Sequence, residues 1–585
     1  MAYTLGIDFG TSTTRVAISQ DGTLPLAIPI GLGGDDFMPS VVAYRRTADG
    51  RAEVLSIGED ALDAPDTDGV TVIREVKRCL AVAEQINPPV TILSRWWNQE
   101  TRCFQLWDSS VRADEIIYVI IYEALTRAVE TLKRLGIAAD LTLVSIRGLS
   151  CRLGTSVTSG LTVRRELAEL VNRLGFDDFR TSQIIEEPVL AALSYVSSLQ
   201  VKTGDKVLVY DFGGGTFDVA IVDVDELKDG SYPKLTVLAA DGEQRLGGSD
   251  IDEAFLNHII TRVSVENFGL KDHELQAKLK EHPEEKQALR NQVRRVKEAL
   301  SDRDEASLLL LSFLGRPLDI TVNRDELEMV VRNSGILAKS LECTIRAFRR
   351  AVTTSEGKLF AFDPKTGSLA GSIFELGDDA LRQFVQKILI VGGTTRMPLI
   401  RQTITDLWGA ERVIEEDVLP PITATAQGAA WQQEELTGIV DRLPFSIFLE
   451  QDREDDIELY KAFTPTAIHR INTDNPRIQC YRYPFDAPKP SNGPRICFYD
   501  PEGNLIESRL LQINQLGRIH LEIDLFGRCV IKLNQKELLE IPNPAQHPRQ
   551  VELWKEFCRA RDRKKAAVHE TLLDNVRVNP GLTNQ

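Results

Sequence analysis

The segment VLVYDFGGGTFDVAIV, Val207–Val222, has the pattern of two β-strands joined by a glycine-rich turn. An apolar run ends at Asp211, three consecutive glycines follow, and a second apolar run begins at Val219. Because glycine lacks the Cβ that restricts φ, several backbone N–H groups of such a turn can converge on one anion. We expect a phosphate-binding hairpin here, although a glycine-rich hairpin is by itself a common feature.

The chain carries a near copy of this hairpin at Leu5–Ile18, which reads LGIDFGTSTTRVAI. When Asp8 is aligned with Asp211, the residues Asp-Phe-Gly and Val-Ala-Ile recur at the same offsets. A duplicated hairpin predicts two related lobes that face each other across a cleft, with one nucleotide between them. The simpler alternative is two unrelated hairpins that carry Asp in turn positions, which Asp favours.

Each hairpin ends its first strand on an aspartate, Asp8 or Asp211. Across a shared cleft both carboxylates would approach the same phosphates, which is tolerable only around a cation. Mg²⁺ suits such a place, since it prefers oxygen ligands and retains several of its waters. The two hairpins therefore predict a nucleotide site with Asp8 and Asp211 at the metal.

Three segments resemble the phosphate and adenosine motifs of the actin-like ATPases: the two hairpins and LIVGGTTRMPLI at Leu389–Ile400. Within that superfamily the chain resembles the seventy-kilodalton heat-shock chaperones, and four further stretches carry this likeness: VKRCL (Val76–Leu80), IIEEPVLAALSYV (Ile184–Val196), RLGGSDID (Arg245–Asp252) and VKEALS (Val296–Ser301). The resemblance extends over Ala2–Glu435. It implies an α/β fold in which residues 1–436 form an actin-like, two-lobed ATPase domain built on a duplicated strand-turn-strand unit.

The resemblance also implies roles for individual residues. Lys77, Glu187, Asp211 and Thr216 would be catalytic and position the attacking water beside the γ-phosphate. ATP or ADP would bind with Mg²⁺, and with K⁺ as a further cation, the Mg²⁺ being held mostly through water by Asp8 and Asp211. Contacts to the nucleotide are expected from Gly10, Thr11, Ser12, Gly213, Gly214, Gly215, Gly247, Gly248, Lys297, Ser301, Gly392, Gly393, Thr394 and Arg396, the last beside the adenine.

The chain departs from the family pattern at several positions. A strand is expected at Leu141–Ile146, followed in the family by a Val-Pro pair and an aromatic residue, whereas Arg147 stands in the place of the proline. That loop relays between nucleotide and client sites in the family, so the departure concerns coupling rather than ATP binding. Four further positions differ in charge from the family pattern: Ser249, Arg294, Glu298 and Ile422.

Hydrophobic periodicity and capping residues predict the main helices of this domain. Ser249 and Asp250 are expected to cap a helix that follows Gly247 and Gly248. The stretch Ala351–Ala380, rich in Gly, Ser, Thr and Asp, is interpreted as a surface insertion. The longer helical stretches are predicted at Arg112–Leu135, Thr162–Leu174, Lys271–Leu300 and Asn323–Arg350.

Composition and charge exclude several classes of function. The 585-residue chain has a formal charge of −17, so a chain-wide attraction to nucleic acid or anionic lipid is not expected. The longest apolar run, Ile116–Tyr122, is far shorter than the ~20 residues needed to span a bilayer. The eight scattered cysteines form no C-x-x-C pair, and no targeting segment precedes the first strand. We expect a cytoplasmic protein.

The likeness to the family fades after residue 436. Residues 437–446 are expected to form a linker of which Ile439, Val440 and Leu443 could dock on the ATPase domain. Seven short runs of strand character within 447–545 suggest a β-sandwich that binds substrate. Residues 546–573 should form one short helix, too little for the helical lid of the family, and residues 574–585 a disordered tail.

Two functions of different class remain open. The first is an ATP-driven chaperone that holds unfolded or extended polypeptide by strand addition, together with a J-domain protein and a nucleotide-exchange factor. The second is an actin-like ATPase that acts as a nucleotide-gated scaffold for a dedicated protein partner. A sugar or acyl-phosphate kinase is disfavoured by the heat-shock motifs. Neither reading involves nucleic acid or a membrane.

Overall fold

The computed structural model of the protein describes most of the chain between residues 3 and 541. The described residues are 3–20, 23–46, 48, 51–62, 64, 69–78, 103–105, 113–138, 140–157, 159, 161–176, 179, 183–197, 202, 204–224, 235–356, 361–363, 368–370, 384–414, 422–431, 440–442, 446–450, 457–460, 465–467, 480–482, 495–499, 505–511, 518–523, 529–533 and 536–541.

The described part is a mixed α/β structure. Its helices are α1 (Glu59–Leu62), α2 (Ala113–Arg134), α3 (Leu161–Arg173), α4 (Glu187–Ser197), α5 (Gly248–Glu266), α6 (Asp272–Glu281), α7 (Pro283–Asp302), α8 (Arg324–Asn333), α9 (Ile336–Glu356), α10 (Pro398–Trp408) and α11 (Ala424–Ala430), with short 3₁₀ turns at Ser145–Gly148, Gly393–Arg396 and Ala410–Arg412.

The strands of the same residues are β1 (Tyr3–Phe9), β2 (Thr13–Gln20), β3 (Leu26–Ala27), β4 (Met38–Pro39), β5 (Val42–Arg46), β6 (Arg51–Ile57), β7 (Val70–Ile73), β8 (Cys103–Gln105), β9 (Ser150–Thr155), β10 (Ile184–Glu186), β11 (Lys206–Phe212), β12 (Phe217–Val224), β13 (Leu235–Glu243), β14 (Glu305–Phe313), β15 (Arg316–Asn323), β16 (Ala361–Asp363), β17 (Ser368–Ala370), β18 (Lys387–Val391), β19 (Val440–Arg442), β20 (Ser446–Glu450), β21 (Ile457–Tyr460), β22 (Pro465–Ala467), β23 (Cys480–Arg482), β24 (Arg495–Tyr499), β25 (Leu505–Leu510), β26 (Arg518–Ile523), β27 (Cys529–Leu533) and β28 (Lys536–Ile541).

Two sheets carry the duplicated hairpins in the same topological position. In the first sheet, ordered β10-β9-β1-β2-β3, β1 pairs antiparallel with β2 and parallel with β9. In the second, ordered β18-β11-β12-β13-β19-β22, β11 pairs antiparallel with β12 and parallel with β18. The registers also agree, since Asp8 lies opposite Arg15 and Asp211 opposite Asp218. The expected duplication is therefore present in the backbone as well as in the sequence.

Smaller sheets extend each half of this domain. The four-stranded sheet β7-β5-β6-β8 lies in the first half, and the hairpin β14-β15 lies in the second. Separate hydrophobic cores fill the two halves: α2 and α3 pack on the first sheet, and α5, α7 and α9 contribute to the core of the second. This arrangement gives each hairpin a rigid support, because the strands that bear it are buried along nearly their whole length.

Two helices join the sheets behind the hairpins. A Cβ at Gly6 on β1 would overlap backbone atoms of Ala426 and Ala430 in α11, and a Cβ at Gly428 would overlap the carbonyl oxygen of Leu190 in α4. Only glycine allows such close backbone contact. Because α11 lies against β1 and against α4, which packs on the second sheet, it fixes the two halves relative to each other.

Side chains from the first half of the domain also bind the carboxyl end of α11. Ser19 donates a hydrogen bond to the carbonyl of Ala430, and Arg152 on β9 donates to the carbonyls of Trp431 and, at 3.4 Å, Ala429. The last carbonyls of a helix have no partner within the helix, so a cation there is favourable. Burial lowers the pKa of Arg152 to about 10.

One predicted strand is wrong. Leu141–Ile146 forms no strand; the chain makes a 3₁₀ turn at Ser145–Gly148, and the strand beside β1 is Ser150–Thr155. Arg147 therefore precedes this strand instead of following it, and its side chain packs against Gly175. The residues that follow the strand into the cleft are Ser156 and Val157. Leu141–Ile146 has the apolar alternation of a strand, whereas the observed strand, Ser150–Thr155, contains Arg152 and Gly154 and lacks that pattern. The prediction therefore chose the wrong segment.

Two predicted helices are each divided in two. The stretch Lys271–Leu300 breaks at His282, because Pro283 cannot continue the preceding helix but suits the first turn of the next. The stretch that opens after Asn323 breaks at Gly335, whose φ is +75°. Asn323 caps α8 as expected, its side chain accepting from the backbone N–H of Glu326. Within the predicted insertion, α9 continues to Glu356 and a short hairpin, β16-β17, follows.

The predicted linker contains a strand that joins the second sheet. Val440–Arg442 pairs parallel with β13, at Thr236, and antiparallel with Pro465–Ala467, which was not predicted as a strand. Ser446, expected in the linker, begins β20. The second sheet thus includes strands from the predicted linker and from the region after it.

The C-terminal strands form two antiparallel four-stranded sheets, β21-β20-β24-β25 and β23-β26-β27-β28. All seven predicted runs contain a strand, and Lys536–Ile541 adds one that was not predicted. The sandwich arrangement stays a prediction, and the helix and tail at 546–585 lie outside the described residues. None of the helices in the described part is long and apolar enough to cross a membrane.

The close contact of α11 with α4 can be tested by Gly428→Ala. Alanine in a helix normally stabilises by roughly 1 kcal/mol relative to glycine, but here it must push α11 away from Leu190. We expect a net destabilisation of about 2 kcal/mol, measured by urea unfolding. Gly148→Ala is the control, since no heavy atom lies within 4 Å of the added Cβ. Equal stability of the two variants would contradict the packing.

Candidate nucleotide and phosphate site

The turns of the two hairpins touch each other. A Cβ at Gly214 would overlap the hydroxyl of Ser12, and one at Gly215 would overlap the side chain of Thr11. Glycine on one turn and short hydroxyl residues on the other therefore allow the two backbones to meet. The predicted phosphate-binding residues of both hairpins lie together at one place in the cleft.

Two other predicted segments close around the glycine turn. The backbone N–H groups of Gly248 and Ser249 donate to the carbonyls of Gly213 (3.1 Å) and Gly214 (2.8 Å). The hydroxyl of Thr394 also donates to Gly213, at 2.8 Å. Gly392 lies against Phe212 and Asp211, and Gly247 lies against Gly214 and Gly215. The structure thus brings the 247–248 and 392–394 segments to the second hairpin.

The helix cap at this point differs from the prediction. Gly247, not Ser249 or Asp250, occupies the N-cap position of α5. Asp250 instead accepts a hydrogen bond from the Gly247 backbone N–H at 2.8 Å. Asp250, at the third helical position, thus accepts from the N-cap N–H group, which has no partner within the helix.

Lys77 and Glu187 form a buried ion pair in the cleft. Lys77 is 9% and Glu187 8% exposed, and the ammonium group donates to Glu187 Oε1. Burial alone would lower the pKa of Lys77, but the charges of Glu187 and Asp8 raise it overall. Burial raises the pKa of Glu187, while Lys77 opposes that increase. The lysine therefore stays protonated, with its charge inside the cleft.

Three further buried carboxylates, Asp8, Asp211 and Asp218, surround this pair. Burial, together with the charges of Glu187, Asp218 and Asp8, raises the pKa of Asp211 well above its ordinary value. Asp218, which the sequence reasoning left without a role, is 1% exposed and its pKa is raised to about 7 by burial and by Glu187. Its Oδ1 accepts from the Ser156 hydroxyl and the Val157 N–H. The cleft thus carries more negative charge than its lysine can balance.

A divalent cation fits this charge distribution. The carboxylates raise one another's pKa values, so an added positive charge between them would be stabilising. Among the described residues, no group of three or more His, Cys, Asp or Glu side chains is arranged to hold a metal directly. Asp8 and Asp211 offer carboxylate oxygens, which suit a hard cation such as Mg²⁺ that retains several of its waters.

Two arginines belong to the site although the sequence reasoning passed over them. Arg15 donates to Asp8 at 2.9 Å and lies near Glu187, whose pKa it lowers. Arg78 bridges the cleft: it donates to the Gly215 carbonyl at 3.0 Å and pairs with Asp250. Both could have been found, Arg15 from the cross-strand register with Asp8 and Arg78 from its place beside Lys77.

The predicted nucleoside residues lie along α7 and the 393–396 turn. Lys297 pairs with Asp252 at 2.7 Å and donates to the Gly248 carbonyl at 3.0 Å. Arg396 reaches Asp302 at 3.3 Å and is half exposed. Ser301 precedes Asp302 in the last turn of α7. These residues border the same cleft, and the stacking of Arg396 on adenine stays a prediction.

Two of the positions that depart from the family pattern, Arg294 and Glu298, pair with each other. Arg294 donates to Glu298 at 3.0 Å, one turn further along α7. Asp252 and Glu75 also act on Arg294 and, against its burial, contribute to the raised pKa of its guanidinium. The charges of this helix face are therefore balanced within the protein itself.

Taken together, the two sheets with duplicated hairpins and the carboxylate-lined cleft form a mixed α/β arrangement that is consistent with the expected actin-like fold. Comparison with known proteins agrees. The family model described as "Hsp70 protein" matches residues 175–357 and 378–453. Over these residues the chain is similar to the Hsp70 family.

Curated relatives give the same assignment at moderate identity. A protein named "Chaperone protein HscA homolog" from Burkholderia cenocepacia is 26% identical over 461 residues, which is 76% of this chain and 62% of the relative. The protein of the same name from Burkholderia multivorans is 26% identical over 460 residues, with the same shares covered. The chain thus spans 62% of the length of these relatives.

The raised pKa of Asp218 predicts a pH dependence of stability. Its ordinary value is 3.8, so between pH 3.8 and about 7 the folded state binds more protons than the unfolded state. The contribution of Asp218 to stability therefore falls as pH rises through this window, by at most about 1.4 kcal/mol per unit. The asparagine side chain in Asp218→Asn does not ionise, so this variant does not lose stability through position 218 as the pH rises.

We expect the stability of Asp218→Asn relative to the wild type to increase from pH 4 to pH 7 and to stay constant from pH 8 to pH 9. Denaturant unfolding without nucleotide or Mg²⁺ measures both proteins. The comparison above pH 8 is the internal control. A difference that is flat between pH 4 and pH 7 would show that Asp218 titrates at its ordinary value.

Proposed function

We propose that the protein is an ATP-dependent molecular chaperone of the heat-shock-70 type, which binds and hydrolyses ATP to control its binding of unfolded or extended polypeptide. The observation that carries the proposal is the meeting of the two hairpin turns beside the buried pair of Lys77 and Glu187. The match to the Hsp70 family model supports the same reaction.

Phosphate binding is assigned to the two turns. The backbone N–H groups and hydroxyls of Thr11 and Ser12 lie beside the backbone of Gly214 and Gly215, and such donors suit phosphate oxygens. Gly10 and Gly213 open the two turns, their own N–H groups donating to the carbonyls of Thr13 and Thr216. Mg²⁺, when bound, would neutralise phosphate charge, and Asp8 and Asp211 would orient its water ligands. Asp8 now accepts a hydrogen bond from Arg15, so it would have to give up part of that contact to accept from the water ligands instead.

Hydrolysis is assigned to the residues around the ion pair. Lys77 supplies a fixed positive charge where negative charge develops on the γ-phosphate. Glu187, Asp211 and Thr216 are placed to orient the attacking water, and the raised pKa values of Glu187 and Asp211 make these carboxylates better proton acceptors than free carboxylates. The contribution of the protein is therefore mainly positioning and electrostatics.

Polypeptide binding is assigned to the C-terminal sheets. Antiparallel sheets with free edges can accept an extended chain as an added strand. The strand Val440–Arg442 pairs with β13 and with Pro465–Ala467, so chain from beyond the linker lies on the sheet that carries the second hairpin. The J-domain protein, the exchange factor and the cytoplasmic location stay predictions.

Lys77→Ala tests the catalytic assignment. The variant should still bind ATP, because the phosphate donors of both turns remain. Its single-turnover hydrolysis should fall by two or more orders of magnitude, which corresponds to about 3 kcal/mol of transition-state stabilisation. Rapid-quench assay of [γ-³²P]ATP measures the rate. Lys133→Ala, at an exposed lysine, is the matched control. An unchanged rate of hydrolysis in Lys77→Ala would show that Lys77 is not a catalytic residue.

Peptide-stimulated ATP turnover tests the chaperone function. An extended apolar peptide should increase steady-state hydrolysis, because its binding and the nucleotide state would be coupled. A matched peptide with prolines at alternate positions cannot donate the N–H groups of strand pairing and should stimulate less. Absence of stimulation by either peptide would favour the alternative, a nucleotide-gated scaffold for one dedicated partner.

A further inference from the structure

The first hairpin carries an arginine at the position where the second hairpin carries a carboxylate. Asp8 on β1 lies opposite Arg15 on β2, whereas Asp211 on β11 lies opposite Asp218 on β12. When the two hairpins are aligned on Asp8 and Asp211, Arg15 and Asp218 are therefore equivalent in sequence and in register. The two lobes contribute side chains of opposite charge from the same position of a duplicated unit.

Strand alternation directs Asp8 and Arg15 away from the core of the first lobe. Their neighbours Ile7, Phe9 and Val16 belong to that core and are at most 1% exposed. Because successive side chains of a strand point to opposite faces, Asp8 and Arg15 lie on the other face of the sheet, which borders the cleft. Both side chains are largely buried there, at 9% and 12% exposure.

The guanidinium of Arg15 lies among several carboxylates. Its Nη1 donates to Asp8 Oδ2 at 2.9 Å. Arg15 also lowers the pKa of Glu187, which burial raises, and the pKa of Asp36, which partial burial raises. One fixed positive charge thus acts on three carboxylates at the first hairpin.

Hydrogen bonding alone does not account for an arginine in this place. The Nε of Arg15 is buried and has no hydrogen-bond partner among the described residues. The guanidinium carbon lies 5.9 Å from the centroid of the Phe37 ring, which is near the outer limit of a cation–π contact. Because an unpaired buried donor is unfavourable, we attribute the position of Arg15 to its charge beside Asp8.

A divalent cation would compete with Arg15 for the same carboxylate. Asp8 could bind the water ligands of such a cation through the oxygen that now accepts from Arg15. Two cations beside one buried carboxylate repel each other, and water screens that repulsion poorly in a buried site. Without the negative charge of a nucleotide, Arg15 therefore leaves little net attraction for a metal at Asp8.

We propose that Arg15 is a resident counter-cation of the cleft, which occupies Asp8 and keeps divalent cations from binding there in the absence of nucleotide. The inference rests on the proposed function for the role of Asp8 at the metal, while the contact between Arg15 and Asp8 is independent of that function. Arg15 acts through Asp8 and is a positioning residue. The phosphate charge of a nucleotide would offset the repulsion, so that the metal enters with the nucleotide.

Mn²⁺ binding to the nucleotide-free full chain tests this, with the free ion measured by electron paramagnetic resonance at pH 8, above the pKa of about 7 of Asp218. Arg15→Gln and Arg15→Met remove the charge, and Arg15→Lys retains it. We expect the two uncharged variants to bind Mn²⁺ at least about tenfold more tightly than the wild type, ~1.4 kcal/mol. Arg15→Lys should bind like the wild type. Arg45→Gln, which breaks an exposed pair with Glu53, is the matched control and should change nothing.

Asp8→Asn locates the site. Added to Arg15→Gln, it should return Mn²⁺ affinity to the wild-type value, and a gain that persists would place the metal elsewhere and overturn the proposal. Equal affinity in the wild type and in the uncharged variants, shown to be folded by circular dichroism, would also overturn it.

A comparison of the wild type with Asp8→Asn alone needs no substitution of Arg15. Equal Mn²⁺ binding by these two proteins without nucleotide supports the proposal, whereas weaker binding by Asp8→Asn would show that Arg15 does not keep the metal out. Because no nucleotide is added, these results are separate from those on ATP turnover. Absence of ATP hydrolysis by the wild type would refute the proposed function and leave the effect of Arg15 on Mn²⁺ binding unchanged.

Discussion

The contact between the two hairpin turns is the constraint on which the rest of this structure depends. It brings Asp8 and Asp211 from separate sheets into one cleft, and Glu187 and Asp218 come with them. Burying four carboxylates together is unfavourable unless cations accompany them. Lys77 and Arg15 supply part of the positive charge that the carboxylates need. The raised pKa values of Glu187, Asp211 and Asp218 show that negative charge in the cleft is not fully balanced.

The halves of the domain are held together on both sides of this cleft. In front, Arg78 joins the first lobe to Gly215 and Asp250 of the second. Behind, α11 packs on β1 through Gly6 and on α4 through Gly428. The front contacts are polar and exchangeable, whereas the rear contacts are backbone against backbone and leave no room for sliding. Opening of the cleft would therefore break the front contacts first.

The carboxyl end of α11 lies between these rear contacts and the C-terminal region. Ser19 and Arg152 of the first lobe hold its last carbonyls, and the chain re-enters the second lobe as the strand Val440–Arg442 on β13. The first lobe thus holds the end of α11, and the second lobe pairs with the strand Val440–Arg442.

Sequence reasoning selected residues that the structure brings together, because their signals are local. Asp8, Asp211 and the glycine turn lie on strands whose pattern and register are set by neighbours in the chain, and the structure places all of them at one cleft. The helix breaks at Pro283 and Gly335 were missed, although the residue types could have indicated them. The strand beside β1 was misplaced because burial, not hydrophobic alternation, selects Ser150–Thr155: it carries Arg152 and Gly154, which only their contacts with α11 and α4 explain.

The sequence by itself determined the duplicated hairpins and the aspartates at their ends, since each is a short pattern with a direct chemical meaning, whereas the role of Lys77 was expected only from the resemblance to the family. The tertiary structure alone decided which distant groups share the cleft: Asp218 with Ser156, Arg15 with Glu187, and Arg78 with Asp250. Such pairings arise from the packing of one lobe against the other, and no local propensity records the distance between residues that are far apart in the chain.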